Sequence, residues 1–163
     1  MFNYANTKEG THRIAGELLR LGVEPKAVHR QIYENRSEHE VRLLGRVLST
    51  MTIEAGGKLA HMSLTSAMYR EEGVDSVTTD EFINYPRSVR GVEVAVFFKE
   101  SPDKSGRVNI SFRSMGKVNV NEVASRFGGG GHQQAAGCKL EGGLEQVKVK
   151  VLQEVRKVLE DAK

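Results

Sequence analysis

Four consecutive glycines, Gly128 to Gly131, directly precede His132 in the segment SRFGGGGHQQAAG, residues 125–137. Glycines in a row cost conformational entropy, so they occur where the backbone takes positive φ or where a ligand touches main-chain atoms. Free N–H groups in such a turn form a concave anion site, and phosphate is a common occupant near a helix end. The imidazole of His132 can donate to a phosphate oxygen while the fold holds its other nitrogen. The segment therefore predicts a phosphate-binding loop.

The same segment has a second interpretation, a flexible glycine linker with an incidental histidine. The small residues Ala135, Ala136 and Gly137 that follow disfavour a linker, and they leave room for a base, a sugar or a neighbouring strand. The loop is not a Walker phosphate loop, because no Gly-Lys-Ser/Thr follows it. It is not a dinucleotide-binding fingerprint either, because no predicted strand leads directly into it.

Two arginines are candidates to join this loop. Arg113 lies near the end of the strand-like segment RVNISFRS, and Arg87 lies in NYPRSV just before the preceding strand. A planar guanidinium at a strand end suits bidentate phosphate recognition. The alternative for each arginine is an ordinary exposed side chain, which contributes little.

The part of the chain before the strand-like segments is predicted to be helical. The first fifty residues show apolar positions at helical spacing, with Thr7 as an N-cap, Pro25 in the first turn of a second helix, and Ser37 with Glu40 as the capping box of a third. The apolar positions are interpreted as core packing.

The pattern changes to a mixed sheet after Met51. Gly56 and Gly57 separate two strand-like runs, which predicts a hairpin. The segments VEVAVFFKES and RVNISFRS predict a second hairpin, CKLEG predicts a short strand, and Thr79 or Asp80 is expected to cap a helix through EFINYPRSV.

Three more helices are expected in this half, one near SAMYREEG, one through EVASRF after Asn119 or Asn121, and an amphipathic one from Leu144. We therefore predict an α/β fold with a mixed α+β sheet, in which an N-terminal helical connector is followed by a small mixed-sheet domain with flanking helices. The expected domains are residues 1–50 and 51–163.

Composition excludes several classes of protein. The 163 residues are 39% hydrophobic and 28% charged, as in soluble globular proteins. No apolar run is long enough to span a bilayer, and MFNYANTKEG does not have the pattern of a signal peptide. The single cysteine, Cys138, excludes an internal disulfide, fits a cytoplasmic location, and is interpreted as a small buried hydrophobe. The net charge of +3 permits an anionic partner without demanding one.

Metal binding is not expected in this chain. Aspartate occurs only at positions 75, 80, 103 and 161, and none of these neighbours a histidine. Hard divalent metals need several converging carboxylates or imidazoles. We therefore expect no metal site and no cofactor in the chain itself.

The segment RFGGGGHQQAAG, together with GVEVAVFFKE and VNISFRS upstream, resembles the C-terminal associated domain of the DHH phosphoesterase superfamily. The resemblance is closest to the branch of bifunctional oligoribonucleases and 3′-phosphoadenosine-5′-phosphate phosphatases. It extends over the whole chain, because FNYANTKEGTHRIAGELLRLG resembles the last helical part of the catalytic DHH domain and the next helices resemble its connector.

The resemblance implies a two-lobed, manganese-dependent phosphodiesterase or phosphatase. Its N-terminal lobe holds two manganese ions with aspartates and histidines, including an Asp-His-His triplet that is absent here. Its C-terminal lobe binds the substrate's nucleotide and phosphate. On this chain the implied substrate-binding residues are Gly128, Gly129, Gly130, Gly131, His132 and Arg113, with Arg87 and Asn84. Two-metal hydrolysis needs both ions, so we expect this chain alone to bind and not to hydrolyse, beside a catalytic lobe that it lacks.

Three functions remain open from the sequence. The first is the substrate-binding lobe of an enzyme acting on short oligoribonucleotides or nucleoside 3′,5′-bisphosphates. The second is an independent module that binds nucleic acid or a cyclic dinucleotide without chemistry. A groove that tracks long single strands is disfavoured, because only 6% of the residues are aromatic and none is tryptophan. The third is an interaction domain whose glycines only make a turn. The sequence does not determine the oligomeric state, and a homodimer is one alternative.

Overall fold

The computed structural model describes residues 6–74, 79–101 and 106–161, and the chain divides into two compact units, Met1–Ser37 and Glu38–Lys163. In the first unit, α1 (Glu9–Arg20) and α2 (Pro25–Tyr33) are the two helices that the sequence predicts, with Pro25 in the first turn of α2. Lys8, and not Thr7, is the N-cap of α1. Gly22 follows the end of α1 with a φ of +89°, the left-handed region that suits glycine.

The second unit is an α/β domain around a mixed sheet, as predicted from the sequence, and the sheet has six strands. Within the described residues its elements are α3 (Glu38–Ser49), β1 (Thr52–Glu54), β2 (Leu59–Leu64), α4 (Ser66–Glu71), α5 (Asn84–Arg87), β3 (Val94–Glu100), β4 (Arg107–Ser114), α6 (Val120–Ser125), β5 (Gly130–His132), β6 (Ala135–Glu141) and α7 (Leu144–Asp161).

The strand order is β1-β2-β3-β4-β6-β5. Strands β2 and β3 are parallel and every other neighbouring pair is antiparallel. Both predicted hairpins are present, and the first turns through a 3-10 helix at Ala55–Gly57. A parallel pair requires a crossover connection, and α4 and α5 lie in the segment that joins β2 to β3.

Apolar side chains alternate along the strands and form one core on each face of the sheet. On the first face, Val96, Phe98, Ile110 and Phe112 are buried together with apolar residues of α6 and α7. On the second face, Met62, Leu64 and Phe97 are buried together with residues of α3, α4 and the α5 region. The sheet is therefore the middle layer of this unit, and the two helical layers cover different parts of it.

Three elements differ from the sequence expectation. Strand β5 was not predicted, because two glycines and a histidine carry no alternating pattern. Strand β6 begins at Ala135, so the predicted short strand at Cys138 is longer than expected. The helix expected through EFINYPRSV is reduced to Asn84–Arg87, with Pro86 inside its short run.

Helix α3 belongs to the compact unit of the sheet, because its Leu43 and Val47 are fully buried in the second core. The unit thus starts earlier than the predicted domain boundary between residues 50 and 51, which stays a prediction. Among the described residues, no helix combines the length and the apolar character that a membrane span requires.

Candidate functional site

The first two glycines of the loop end helix α6. The amide of Gly128 donates to Ser125 O at 3.0 Å, and the amide of Gly129 donates to Ala124 O at 2.9 Å. Gly128 has a φ of +71°, the left-handed conformation that terminates many helices. The amides of these two glycines are therefore not free for an anion, because the last carbonyls of α6 already accept their hydrogen bonds.

Two glycines are required by the close approach of β6. A Cβ built on Gly129 would overlap Gly137 O and lie 2.5 Å from the Cβ of Cys138. A Cβ on Gly131 would lie 2.5 Å from Ala135 O, and Gly131 also has a φ of +150°. Of the three neighbours that the sequence allowed, a base, a sugar or a strand, the neighbouring strand is the one that fills this space.

Gly130 is the glycine of the loop at which neither steric contact nor backbone conformation requires a glycine. A Cβ on Gly130 would meet only the side-chain oxygen of Asn121, at an ordinary contact distance of 3.8 Å, and its φ is not in the left-handed region. Gly130 is exposed. Space above this main chain is thus available to a ligand.

The strand register brings the candidate residues to one face of the sheet. His132 lies opposite Ala135, and Ala135 lies opposite Arg113, so these three residues form one row across β5, β6 and β4. Directly opposite residues of antiparallel strands point to the same side. The next row consists of Gly130, Gly137 and Ser111. The separation of His132 from Arg113 by two strand spacings is about 10 Å between Cα atoms.

This surface, formed by Arg113, Ser111 and Asn109 of β4 with the residues opposite them on β6 and β5, is here called the open face. Among the described residues of the second unit, α3, α4 and α5 pack on β2 and β3 on this side, whereas α6 and α7 pack on the other side. A depression of about 450 Å³ lies at the edge of the open face, lined by Gly128, Gly129, Gly137, Asn109, Ser111 and Lys139 with the main chain beside them. Small residues at its centre keep this surface accessible.

Arg113 and Arg87 are close enough to influence each other. Burial lowers the pKa of the half-buried Arg113 guanidinium, the positive charge of Arg87 lowers this pKa further, and the negative charge of Asp80 opposes both effects. Arg113 donates to Phe112 O at 3.0 Å. Among the described residues, neither arginine has a carboxylate within salt-bridge distance. Two neighbouring guanidinium groups without a carboxylate partner are an arrangement that an anion would stabilise.

Asn84 and Arg87 are the first and last residues of α5, which carries both side chains on its exposed surface. A second depression of about 360 Å³ is lined by Glu81, Asn84, Tyr85 and Ser88. The structure therefore places Arg87 near Arg113 and places Asn84 on the same short helix.

His132 is exposed at the end of β5. Neither of its ring nitrogens has a hydrogen bond to a described residue, so the expected anchoring of one nitrogen by the fold is absent there. The backbone around it is fixed instead, because the following residue, Gln133, accepts a 2.9 Å hydrogen bond from the amide of Val120.

Cys138 and the acidic residues are possible groups for covalent or metal chemistry. Cys138 is buried as predicted, and burial raises the pKa of its thiol to about 11, which keeps it protonated at neutral pH. No three histidine, cysteine or carboxylate side chains converge within the described ranges, which omit Asp75 and Asp103. The described residues therefore do not fit a manganese pair.

Sequence reasoning did not single out Asn109, Ser111 and Lys139, which line the depression. The alternation in RVNISFRS contains a signal for the first two, because every second residue of β4 is polar while the others are buried. Lys139 alternates with Cys138 and Leu140 in the same way, but its place opposite Asn109 depends on the register of β6.

A family model of the DHHA1 domain matches residues 56–161. The bifunctional oligoribonuclease and PAP phosphatase NrnA of Thermus thermophilus is 36% identical over 159 residues, which are 97% of this chain and 46% of that protein. The protein of the same name from Bacillus subtilis is 27% identical over 139 residues, which are 85% of this chain and 42% of that protein. The chain thus spans less than half the length of these curated relatives.

Two solved structures have a similar fold. An exopolyphosphatase-related protein from Bacteroides fragilis superposes with a TM-score of 0.85 at 31% identity, over 96% of this chain and 45% of that one. A pGpG-specific phosphodiesterase from Vibrio cholerae superposes with a TM-score of 0.58 at 13% identity, over 100% of this chain and 54% of that one, which shows a shared fold. Because the DHHA1 model matches most of the chain and a relative is 36% identical over 97% of it, the chain belongs to the DHHA1 domain family of DHH-superfamily phosphoesterases.

Proposed function

We propose that this chain is the substrate-binding part of a DHH-type phosphoesterase that acts on short oligoribonucleotides or nucleoside 3′,5′-bisphosphates. The observation that carries the proposal is Arg113 on an accessible sheet face with Arg87 on α5, which packs against β4, because an anion would stabilise two positive charges that influence each other. The names of the relatives support the class of substrate, since they describe oligoribonuclease and PAP phosphatase activities. A nucleotide substrate and a free thiol are both consistent with a cytoplasmic protein.

In this proposal Arg113 and Arg87 hold a phosphate of the substrate above the open face. His132 donates a hydrogen bond from the opposite end of the same row, and Asn84 adds an amide from α5. Gly130 lets the sugar or the base approach the main chain. Gly128, Gly129 and Gly131 act indirectly, because they set the course of the loop and its distance from β6.

Calorimetric titration with adenosine 3′,5′-bisphosphate tests this site through Arg113→Met. A hydrogen bond to a charged group contributes about 1.5–3 kcal/mol, so the affinity is expected to fall about 10- to 100-fold. Arg113→Lys should restore only part of it, because an ammonium group cannot form the bidentate contact.

Arg156→Met is the matched control, because it removes one guanidinium from α7 on the other side of the sheet, where Arg156 pairs with Glu54 at 2.8 Å. Affinity that is unchanged in Arg113→Met, or equally reduced in both variants, would contradict the site. Absence of binding by the unmodified chain would favour an interaction domain whose glycines only make a turn.

We further propose that catalysis belongs to a separate lobe. The purified chain is expected to release no phosphate from adenosine 3′,5′-bisphosphate in the presence of manganese, because two-metal hydrolysis needs converging ligands for both ions. A colorimetric phosphate assay measures this directly. Sustained, manganese-dependent release that survives repurification would show that the chain carries its own catalytic centre.

A further inference from the structure

The open face continues beyond the rows that contain Arg113 and Gly130. The third row consists of Lys99, Asn109 and Lys139, on β3, β4 and β6. These residues lie on the same side as Arg113, because Asn109 is an even number of residues away along β4. The row therefore adds two cations to the surface proposed to hold the substrate.

The polar groups of this region have few partners inside the protein. Among the described residues, the side chains of Asn109 and Ser111 make no hydrogen bond, although both are half-buried. Lys139 is exposed and has no carboxylate partner there. Lys99 donates to Thr79 Oγ1 at 3.1 Å, and an ammonium group has three donors, so two remain.

Nine of the sixteen lysines and arginines that the structure describes in this unit have a carboxylate partner. Salt bridges to carboxylates occupy the side chains of Arg42, Arg46, Lys58, Arg107, Lys117, Arg126, Lys148, Arg156 and Lys157. Arg107 and Glu141 form the next row beyond Asn109 and Lys139, and their side chains are 3.9 Å apart. Lys139 is one of the seven described cations without a carboxylate partner, and Lys99 and Arg113 of the same face are two others.

The depression of about 450 Å³ lies where Lys139, Asn109 and Ser111 meet the main chain of Gly128 and Gly129. Asn109 is four residues from Arg113 along β4, which corresponds to about 13 Å. Both phosphates of a nucleoside 3′,5′-bisphosphate are attached to one ribose ring, so they lie closer together than this. A second phosphate at the far end of the depression, beside Asn109 and Lys139, would therefore come from a further nucleotide of an oligonucleotide.

We propose that Lys139, Asn109, Ser111 and Lys99 form a second phosphate subsite, which binds an oligonucleotide whose first phosphate lies at Arg113. The proposal rests on the proposed function, since it extends the same surface. Lys139 is then a specificity-determining residue that favours oligonucleotides over a single nucleoside bisphosphate. The floor of small residues between the two subsites leaves room for the connecting sugar.

The test is calorimetric titration of the full chain with two probes, a 5′-phosphorylated triadenylate RNA and adenosine 3′,5′-bisphosphate. Lys139→Met is expected to weaken binding of the RNA about tenfold and to leave binding of the bisphosphate within about twofold, because a charge-assisted hydrogen bond to a phosphate is lost only with the RNA. The slope of log affinity against log salt should become shallower by about 0.7 for the RNA, as for one lost phosphate contact on a single strand.

Lys150→Met is the matched control, because it removes a lysine from the exposed surface of α7, where the ammonium group lies 5.7 Å from the ring centre of Phe127. It should leave both affinities unchanged. A third probe, inorganic tripolyphosphate, distinguishes a spaced oligonucleotide from a phosphate chain. Lys139→Met should not weaken binding of tripolyphosphate more than binding of the bisphosphate.

Equal effects of Lys139→Met on RNA and bisphosphate, no effect on either, or a loss confined to tripolyphosphate would each overturn the second subsite. These results leave the proposed function intact as long as Arg113→Met weakens the bisphosphate. If Arg113→Met changes neither nucleotide, the proposed function fails and the second subsite fails with it.

Discussion

At the scale of single residues, the four glycines of the loop have different reasons to be glycine. Gly128 needs a left-handed φ to end α6, and Gly129 and Gly131 lie too close to β6 to carry a Cβ. Gly130 has neither constraint. Gly130 is therefore the glycine proposed to contact the ligand, whereas the fold itself requires Gly128, Gly129 and Gly131.

This separation predicts opposite results for two neighbouring substitutions. Gly129→Ala should destabilise the fold by about 1–3 kcal/mol or more, because its methyl group overlaps the backbone of β6. Gly130→Ala should leave the midpoint of thermal unfolding nearly unchanged and weaken nucleotide binding. Circular dichroism melting and calorimetric titration measure the two effects. Similar melting temperatures for both variants would show that β6 yields easily to a methyl group at residue 129.

At the scale of elements, the packing of α7 on the sheet buries a titratable residue. His61 of β2 is 7% exposed, and its Nδ1 atom has no hydrogen-bond partner among the described residues. Burial lowers the pKa of His61, Lys148 and Arg156 of α7 lower it further, and the carboxylates of Glu54 and Glu145 partly offset this. The neutral imidazole is therefore the form that the fold favours.

The lowered pKa of His61 predicts a loss of stability in acid. Above its unfolded pKa, near 6.5, the imidazole is neutral in both states and has no effect. As the pH falls below that value the unfolded chain binds a proton first, so the free energy of unfolding decreases by at most about 1.4 kcal/mol per pH unit. Urea unfolding should show that the free energy of unfolding decreases more between pH 7.5 and pH 5.5 in the unmodified chain than in His61→Leu.

An equal loss between the two pH values in His61→Leu and the unmodified chain would show that other groups cause the pH dependence. For each protein the comparison uses the difference between the free energies of unfolding at the two pH values. A general change in stability caused by the substitution therefore does not affect it.

At the scale of the whole molecule, the core of the sheet unit begins with α3. Leu43 and Val47 are fully buried and pack with Met62 and Leu64 of β2, so this helix covers part of the second face. Complete burial of such a side chain contributes about 1.5–3 kcal/mol, a large part of the 5–15 kcal/mol that usually separates folded from unfolded protein.

Two truncations compare the compact unit with the domain boundary that the sequence predicts. Removal of residues 1–37 should leave a monodisperse protein that unfolds cooperatively. Removal of residues 1–50 also removes α3 and exposes apolar side chains of β2, so this protein should be aggregated or should melt at a lower temperature. Gel filtration and thermal unfolding measure both. A fully stable 51–163 fragment would support the boundary near residue 50.

The sequence by itself determined the elements whose signals are local. The glycines at 56 and 57 predict the first hairpin, alternating residues predict β3 and β4, and the helical spacing after Leu144 predicts α7. Asn119, one of the two residues expected to start α6, is its N-cap and accepts a hydrogen bond from the amide of Asn121 at 3.2 Å. Periodicity and caps act over a few residues, so they can be read without knowledge of the fold.

Only the tertiary structure decided which distant segments meet. Strand β5 forms because β6 pairs with it, and the same pairing explains Gly129 and Gly131. The approach of Arg87 to Arg113 and the place of Lys139 opposite Asn109 depend on the packing of α5 and on the register of β6. Alternation assigns Lys139 to one face, but a shift of two residues along β6 would keep that face and change the residue opposite Asn109, so the pairing itself is decided only by the tertiary structure.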